Sequence, residues 1–305
     1  MLGKKIAEAN QLPFMNALTP EKLTEILIDF PQALIFWDAD HPFALQEGHA
    51  RSIQAMAQVL ASKTQPSKVF AITDKPLNLN QELSEIGCFG HHVFRRYPDP
   101  ATEIFTKLLG AALVSYPLGV ERYMPADAKA RTILLKETKH KGPAIQAIQN
   151  ILLKGGTPDR LCTQVVGALD EILINAIFTA PLDEDGAPTR KHLDRSTPLL
   201  LEGKHQIEIT VSTSPLYSSI CVADQFGSLK KDVLLSFIRQ NFASSGFKLD
   251  PTQAGLGLNG IMQSGLSLLF ISRPKVRTEV IIFVPRVENF KDFRNSFRFL
   301  SLLSE

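Results

Sequence analysis

The hydrophobic pattern of the first third of the chain alternates between two kinds of segment. Continuous apolar runs of four to six residues, such as those at 34–37 and 69–72, are separated by stretches with apolar residues at helical spacing. Fully apolar strands alternating with amphipathic helices are typical of a parallel sheet covered by helices on its faces. The pattern therefore predicts a parallel α/β domain over residues 1–118.

The pattern changes after a group of turn-forming residues that includes Pro117, Gly119 and Pro125. These residues predict a linker over 119–128. Beyond it come two helical stretches and then strand-like runs, which predict a second domain over 129–286. Aromatic and leucine residues then recur at helical spacing (Phe290, Phe293, Phe297, Leu300), so residues 287–305 are predicted to form a C-terminal helix.

The charge balance, the cysteines and the length of the apolar runs indicate which partners and which compartment to expect. The net charge is +2, so the charge balance gives no reason to expect a nucleic-acid partner. Three cysteines far apart suit a reducing compartment, and no apolar run approaches the roughly 18 residues of a membrane span. We expect a cytoplasmic protein with no nucleic-acid partner and no membrane segment.

Two polar residues stand out in the apolar helical stretch around residue 173. Glu171 and Asn175 are four residues apart, so their side chains lie on one face of the helix. An amide oxygen is a suitable ligand for Mg²⁺, and a carboxylate one turn away can accept a proton near that metal. The alternative is the solvent face of an ordinary amphipathic helix.

Two further positions suggest a nucleotide pocket. Asp224 ends an apolar strand, where a shielded carboxylate needs a partner such as the exocyclic amine of adenine; Gly227 would let the backbone pass close to the base. Gly255 and Gly257 open a second apolar helix, whose free backbone N–H groups attract phosphate. The alternatives are a turn begun by Asp224 and a glycine-rich turn that enters a core helix.

The order and spacing of these positions resemble the ATPase domain of histidine kinases, anti-sigma-factor serine kinases and gyrase, known as the GHKL or Bergerat fold. The resemblance covers residues 130–285. It implies ATP and Mg²⁺ as ligands and a helical layer on a mixed, mostly antiparallel sheet. It also implies roles for particular residues: the metal-binding motif (Glu171 as base, Asn175 on Mg²⁺), the adenine contacts (Asp224, Gly227, Thr278) and the phosphate-binding glycine motif (Gly255, Gly257, Leu258).

The sequence departs from that family at two places. Phe226 stands where the family has a glycine after the adenine-binding Asp, and Arg277 replaces the glycine that precedes Thr278.

The first domain resembles a response-regulator receiver domain that begins near its second strand. Asp38 ends an apolar strand, as the phosphoacceptor of that family does, and His41, Pro42 and Thr73 match neighbouring positions. The family's lysine has no counterpart here. The resemblance implies an interaction module with an inactive phosphoacceptor-like Asp38; a working phosphoacceptor and an unrelated small α/β domain are the alternatives.

Three functions remain open at this point. The first is an ATP-binding signalling regulator similar to anti-sigma-factor kinases, in which Glu171 activates a Ser or Thr hydroxyl of a protein partner such as a regulator or a sigma-like factor. The second is a protein-binding module switched by ATP through the segment 229–254, with no phosphoryl transfer. The third is an atypical histidine kinase that uses His140. A homodimer formed through the C-terminal helix is a further hypothesis.

Overall fold

The computed structural model describes residues 4, 7–8, 11–40, 49–75, 77, 80–94, 103–113, 117–190, 192–243, 260–261, 264–296 and 298–304. The chain divides into two compact units. The first unit comprises Met1–Pro117 together with Phe297–Leu303, and the second comprises Leu118–Ser296 with the last two residues.

The first unit contains three parallel strands in the order β1-β2-β3, with a fourth strand, β9, antiparallel to β3. Helices alternate with the first three strands, as the hydrophobic pattern predicts. The bounds are α1 Pro20–Asp29, β1 Ile35–Asp38, α2 His49–Lys63, β2 Val69–Thr73, α3 Gln81–Ile86, β3 His91–Phe94, α4 Glu103–Ala112 and β9 Arg298–Ser304.

Local sequence explains where these helices begin and end. The hydroxyl of Thr19 accepts the backbone N–H of Lys22, and Pro20 occupies the first turn of α1, where its missing N–H is harmless. Asn80 caps α3 in the same way, and α3 ends at Gly87, which adopts a left-handed φ of 63°. Asp38 and Thr73 are the last residues of β1 and β2. They therefore lie at the carboxyl ends of adjacent parallel strands.

The prediction of one C-terminal helix over 287–305 is wrong. A short helix, α8, covers Phe290–Asn295, and the chain then forms β9 beside β3. Phe299, Ser301 and Leu302 are all almost fully buried, so both faces of this segment are covered. Burial on both faces suits a strand that pairs along the edge of β3 better than a helix with one apolar stripe.

The second unit is built on a sheet with the strand order β7-β8-β6-β5-β4, and every pairing among these five strands is antiparallel. Its strands and helices confirm the α/β class. The bounds are β4 Lys129–Leu135, α5 Lys141–Lys154, α6 Asp159–Ile174, β5 Ile207–Thr213, β6 Tyr217–Asp224, α7 Lys231–Ala243, β7 Ser267–Arg273, β8 Arg277–Pro285 and α8.

The stretch predicted as a linker, 119–128, is folded onto this sheet over its first part. The Gly119 N–H donates to Glu279 Oε2 at 2.8 Å, and the Tyr217 hydroxyl donates to the carbonyl of Tyr123. Tyr123 itself is completely buried. The apolar residues of this stretch contribute to the core of the second unit.

One helical stretch among the described residues, Asp159–Thr179, is long and apolar enough to cross a membrane by length and composition. Of its most apolar window, 61% is buried inside the protein. That degree of burial is typical of the core helix of a folded domain.

Candidate functional site

The end of α6 carries the first two candidate residues. The helix widens into a π turn over Asn175–Thr179, closed by the Ala180 N–H donating to the Asn175 carbonyl at 2.8 Å. Single π turns are rare and occur frequently at functional sites. This turn begins at the residue predicted to hold Mg²⁺.

Glu171 and Asn175 each have a buried atom without a hydrogen-bond partner in the described part of the chain. These atoms are Glu171 Oε2 and Asn175 Nδ2. Within the described ranges, Asn175 Oδ1 receives only a long contact, at 3.5 Å, from the Thr179 hydroxyl. Buried polar atoms in folded proteins almost always have partners, so this pair suits an external ligand.

Two arginines from the loop that follows α6 reach the same region. Arg195 Nη1 lies 3.8 Å from Glu171 Oε2, and Arg190 Nη1 donates to the Ile177 carbonyl at 3.2 Å. Sequence reasoning missed both arginines, because nothing in a polar loop rich in turn formers indicates which charge folds back onto the helix.

Asp224 ends β6 with a carboxylate that is almost fully buried. The Phe226 N–H donates to Asp224 Oδ1 at 2.8 Å. Burial raises the pKa of Asp224 to about 6, while the hydrogen bond from the Phe226 amide and the nearby Arg277 charge act in the opposite direction. A shielded carboxylate with a raised pKa is a common feature of binding and catalytic sites.

Asp224 belongs to a row of three polar side chains that runs across three strands. Register places Thr278 of β8 opposite Asp224 and Ser272 of β7 opposite Thr278. All three are buried, and Ser272 Oγ has no hydrogen-bond partner among the described residues. Thr278 was predicted from the resemblance, whereas Ser272 was missed because only the strand register aligns it with the others.

The row lies on one defined face of the sheet. Tyr217 and Glu279 point to the face covered by residues 119–123, since both form hydrogen bonds with that stretch. Side chains alternate along a strand, so Asp224 and Thr278 point to the opposite face. The π turn of Asn175 contacts β6, the strand that carries Asp224.

The structure explains why position 227 requires a glycine, and the explanation differs from the one that the sequence suggested. Its φ is +58°, and a Cβ at this position would collide with the backbone carbonyl of Arg273 in the turn between β7 and β8. The close approach that requires a glycine is therefore made by the protein itself. A contact of Gly227 with a base stays a prediction.

The two departures from the family pattern have partners within the protein. The Phe226 ring is buried with its centroid 5.2 Å from that of His205, and the Lys204 ammonium lies 5.4 Å from the Phe226 centroid. Arg277 donates to Glu279 Oε1 at 2.8 Å and to Glu208 Oε1 at 3.0 Å. Phe226 thus links the loop after β6 to the turn before β5, and Arg277 links β8 to β5.

The remaining predicted positions are the glycine motif, Asp38 with its neighbours, and His140. Gly255, Gly257 and Leu258 lie outside the described residues, as do His41, Pro42 and the end of the segment 229–254. Asp38 is half-buried at the end of β1. His140 is exposed in a short 3₁₀ turn before α5.

No protein-family model matches the sequence, and no curated protein matches it. Among solved structures, the chain is similar to a chain of the SiaB–SiaC complex from Pseudomonas aeruginosa, with 12% identical residues and a TM-score of 0.30. The match covers 50% of this chain and 88% of that chain. Similarity this low carries no argument about fold or function.

Proposed function

We propose that the second unit binds ATP with Mg²⁺ and that the chain is a signalling regulator that acts on a protein partner. The observation that carries the proposal is the pair of buried atoms Glu171 Oε2 and Asn175 Nδ2, which lie one helical turn apart and have no hydrogen-bond partner among the described residues. A buried polar group without a partner costs about 1–3 kcal/mol, and a bound metal–phosphate group would relieve that cost.

These side chains suit distinct parts of the nucleotide. Asn175 Oδ1 would hold Mg²⁺, which when bound neutralises phosphate oxygens. Asp224 would accept a hydrogen bond from the exocyclic amine of adenine, with Thr278 and Ser272 beside it on the same face. The glycine motif at 255–258 is proposed, from the sequence, to contact the phosphates.

Glu171 suits the role of a general base in phosphoryl transfer. It would accept the proton of a Ser or Thr hydroxyl of the partner while that oxygen forms a bond to the terminal phosphorus. The bond from this phosphorus to the bridging oxygen breaks, and ADP leaves with the electron pair. The products are a phosphorylated protein and ADP, with the proton on Glu171.

The second candidate is a binding module that responds to ATP without transferring phosphate. The positions of Phe226 and Gly227 favour it, because protein contacts rather than a flexible glycine pair hold the loop after Asp224. A histidine kinase that uses His140 is a third candidate, favoured by the exposure of that side chain in front of α5.

Titration with a fluorescent ATP analogue and assay of ADP release test these alternatives. Asp224→Asn should weaken binding at least about 10-fold by removing a charged acceptor. Glu171→Ala should leave binding within about threefold and abolish release, whereas Glu288→Ala, at an exposed acid, should change neither. Binding without release in the wild type supports the module, and acid-labile phosphate on the protein supports the histidine kinase. Absence of binding by the wild type refutes all three.

A further inference from the structure

Arg195 lies beside the proposed general base without being held by it. The distance of 3.8 Å between Arg195 Nη1 and Glu171 Oε2 exceeds that of a hydrogen bond. The Arg195 side chain is 52% exposed and that of Glu171 is 30% exposed. An ion pair with this exposure contributes little to stability, so the contact has no evident structural purpose.

The backbone on both sides of Arg195 is fixed by hydrogen bonds. The Leu193 N–H donates to the Arg190 carbonyl at 3.0 Å, and a hydrogen bond of 3.0 Å from the Thr197 N–H to the Asp194 carbonyl spans Arg195. The arginine therefore projects from an ordered turn while its guanidinium remains partly exposed. A preorganised backbone with a long side chain suits contact with a ligand that arrives from solvent.

The proposed roles of Glu171 and Asn175 define where the terminal phosphate would lie. A base must lie within hydrogen-bond reach of the hydroxyl that attacks this phosphorus, and Asn175 would hold the metal that neutralises the phosphate oxygens. The terminal phosphate would thus lie next to Glu171, which Arg195 already approaches. A guanidinium can donate two parallel hydrogen bonds to phosphate oxygens.

We propose that Arg195 contacts the terminal phosphate of the bound nucleotide and thereby makes the site prefer a nucleoside triphosphate to a diphosphate. This inference rests on the proposed function of the second unit. A diphosphate has no group for Arg195 to contact.

The test compares dissociation constants for Mg²⁺ complexes of a β,γ-imido analogue of ATP and of ADP at constant salt. Arg195→Gln should raise the constant for the triphosphate about 10- to 100-fold, since a charge-assisted hydrogen bond is lost, and change that for ADP less than about threefold. Arg195→Lys should fall between wild type and Arg195→Gln for the triphosphate, because it keeps the charge without the paired donors.

Arg131→Gln is the matched control, since it removes the same charge from an exposed position on β4 and should leave both constants unchanged. Equal weakening of the two nucleotides by Arg195→Gln, or no weakening of either, would overturn the role of Arg195. If Arg195→Gln does not fold, Arg195→Lys serves as the test. The inference is overturned if the ratio of its dissociation constants for the triphosphate and for ADP equals that of the wild type. Failure of the wild type to bind either nucleotide refutes the proposed function instead.

Discussion

At the scale of single residues, Asp224 shows a conflict between stability and binding. Burial raises its pKa from 3.8 to about 6. The unfolded chain loses this proton at lower pH than the folded protein does, so ionisation favours unfolding and stability is lost as the pH rises from about 4 to about 6. A buried carboxylate whose ionisation lowers the free energy of unfolding suits a binding role.

Asp224→Asn removes this titration and keeps an oxygen that can accept the Phe226 N–H. We expect the free energy of unfolding of the variant to exceed that of the wild type by about 3 kcal/mol at pH 8 and by about half as much at pH 5. Urea denaturation at the two pH values measures the difference. Asp127→Asn, at an exposed aspartate of the same unit, is the control; a gain for Asp224→Asn that is equal at both pH values would contradict the explanation.

His92 makes the first unit sensitive to acid. Its Nε2 bonds to the Thr73 hydroxyl at 2.9 Å, and that hydroxyl donates to the Lys75 carbonyl, so His92 Nε2 must carry the proton. Nδ1 is buried and has no partner in the described part of the chain. Burial lowers the pKa of His92 from 6.5 to about 3, so the unfolded chain binds a proton before the folded protein does.

The stability contributed by neutral His92 is complete above pH 6.5 and is lost as the pH falls toward 3. Between pH 7 and pH 5 we expect this group to lower the free energy of unfolding by about 2 kcal/mol. His92→Gln keeps a donor for Thr73 and cannot titrate, so its stability should depend less on pH over this interval. Chemical denaturation at pH 5, 6 and 7 measures the difference, and parallel pH profiles for the two proteins would rule the effect out.

At the scale of secondary-structure elements, the turns at strand ends are set by close contacts between backbones. Gly227→Ala introduces a Cβ at a φ of +58° and against the Arg273 carbonyl. We expect a loss of at least about 2 kcal/mol in the free energy of unfolding.

Gly167→Ala provides the matched control within the same unit. Gly167 lies inside α6, where an added Cβ meets nothing within 4 Å. Alanine in a helix interior is favoured over glycine, so this variant should gain about 0.5–1 kcal/mol. Thermal or urea unfolding should show opposite changes in the free energy of unfolding for the two variants. Unchanged stability of the Gly227→Ala variant would show that the β7–β8 turn can move away.

At the scale of the whole molecule, β9 belongs to the first unit although it follows the second unit in sequence. Ser301 Oγ of β9 lies 2.8 Å from His91 Nδ1 of β3, although 210 positions separate the two residues. The pairing covers an edge of β3 that would otherwise expose unpaired N–H and C=O groups.

A chain that ends at Ser296 should lose hydrogen-exchange protection at the amides of β3. We expect exchange there to accelerate at least about 10-fold, while β5, which pairs with β4 and β6, provides the reference. Ser301→Ala removes only the hydrogen bond to His91 and should give a smaller change. Unaltered protection of β3 in the shortened chain would show that β9 does not stabilise it.

Local sequence patterns were enough to predict the features that depend on near neighbours in the chain. Helical spacing placed Glu171 and Asn175 on one face, and the alternation of apolar runs with helices gave the parallel strands of the first unit. The apolar run that ends at Asp224 predicted that this residue lies at the end of a strand. Each of these rests on a period of two or 3.6 residues, which is set by backbone geometry alone.

Contacts between segments that are distant in sequence became apparent from the fold alone. Helical spacing of aromatic residues suggested a C-terminal helix, but the open edge of β3 selects a strand after Asn295. Likewise, strand register alone aligns Ser272 with Thr278 and Asp224, and the path of a polar loop brings Arg195 to Glu171. Local periodicity carries no information about such pairings, because they depend on which buried surfaces and backbone groups remain to be satisfied once the elements have formed.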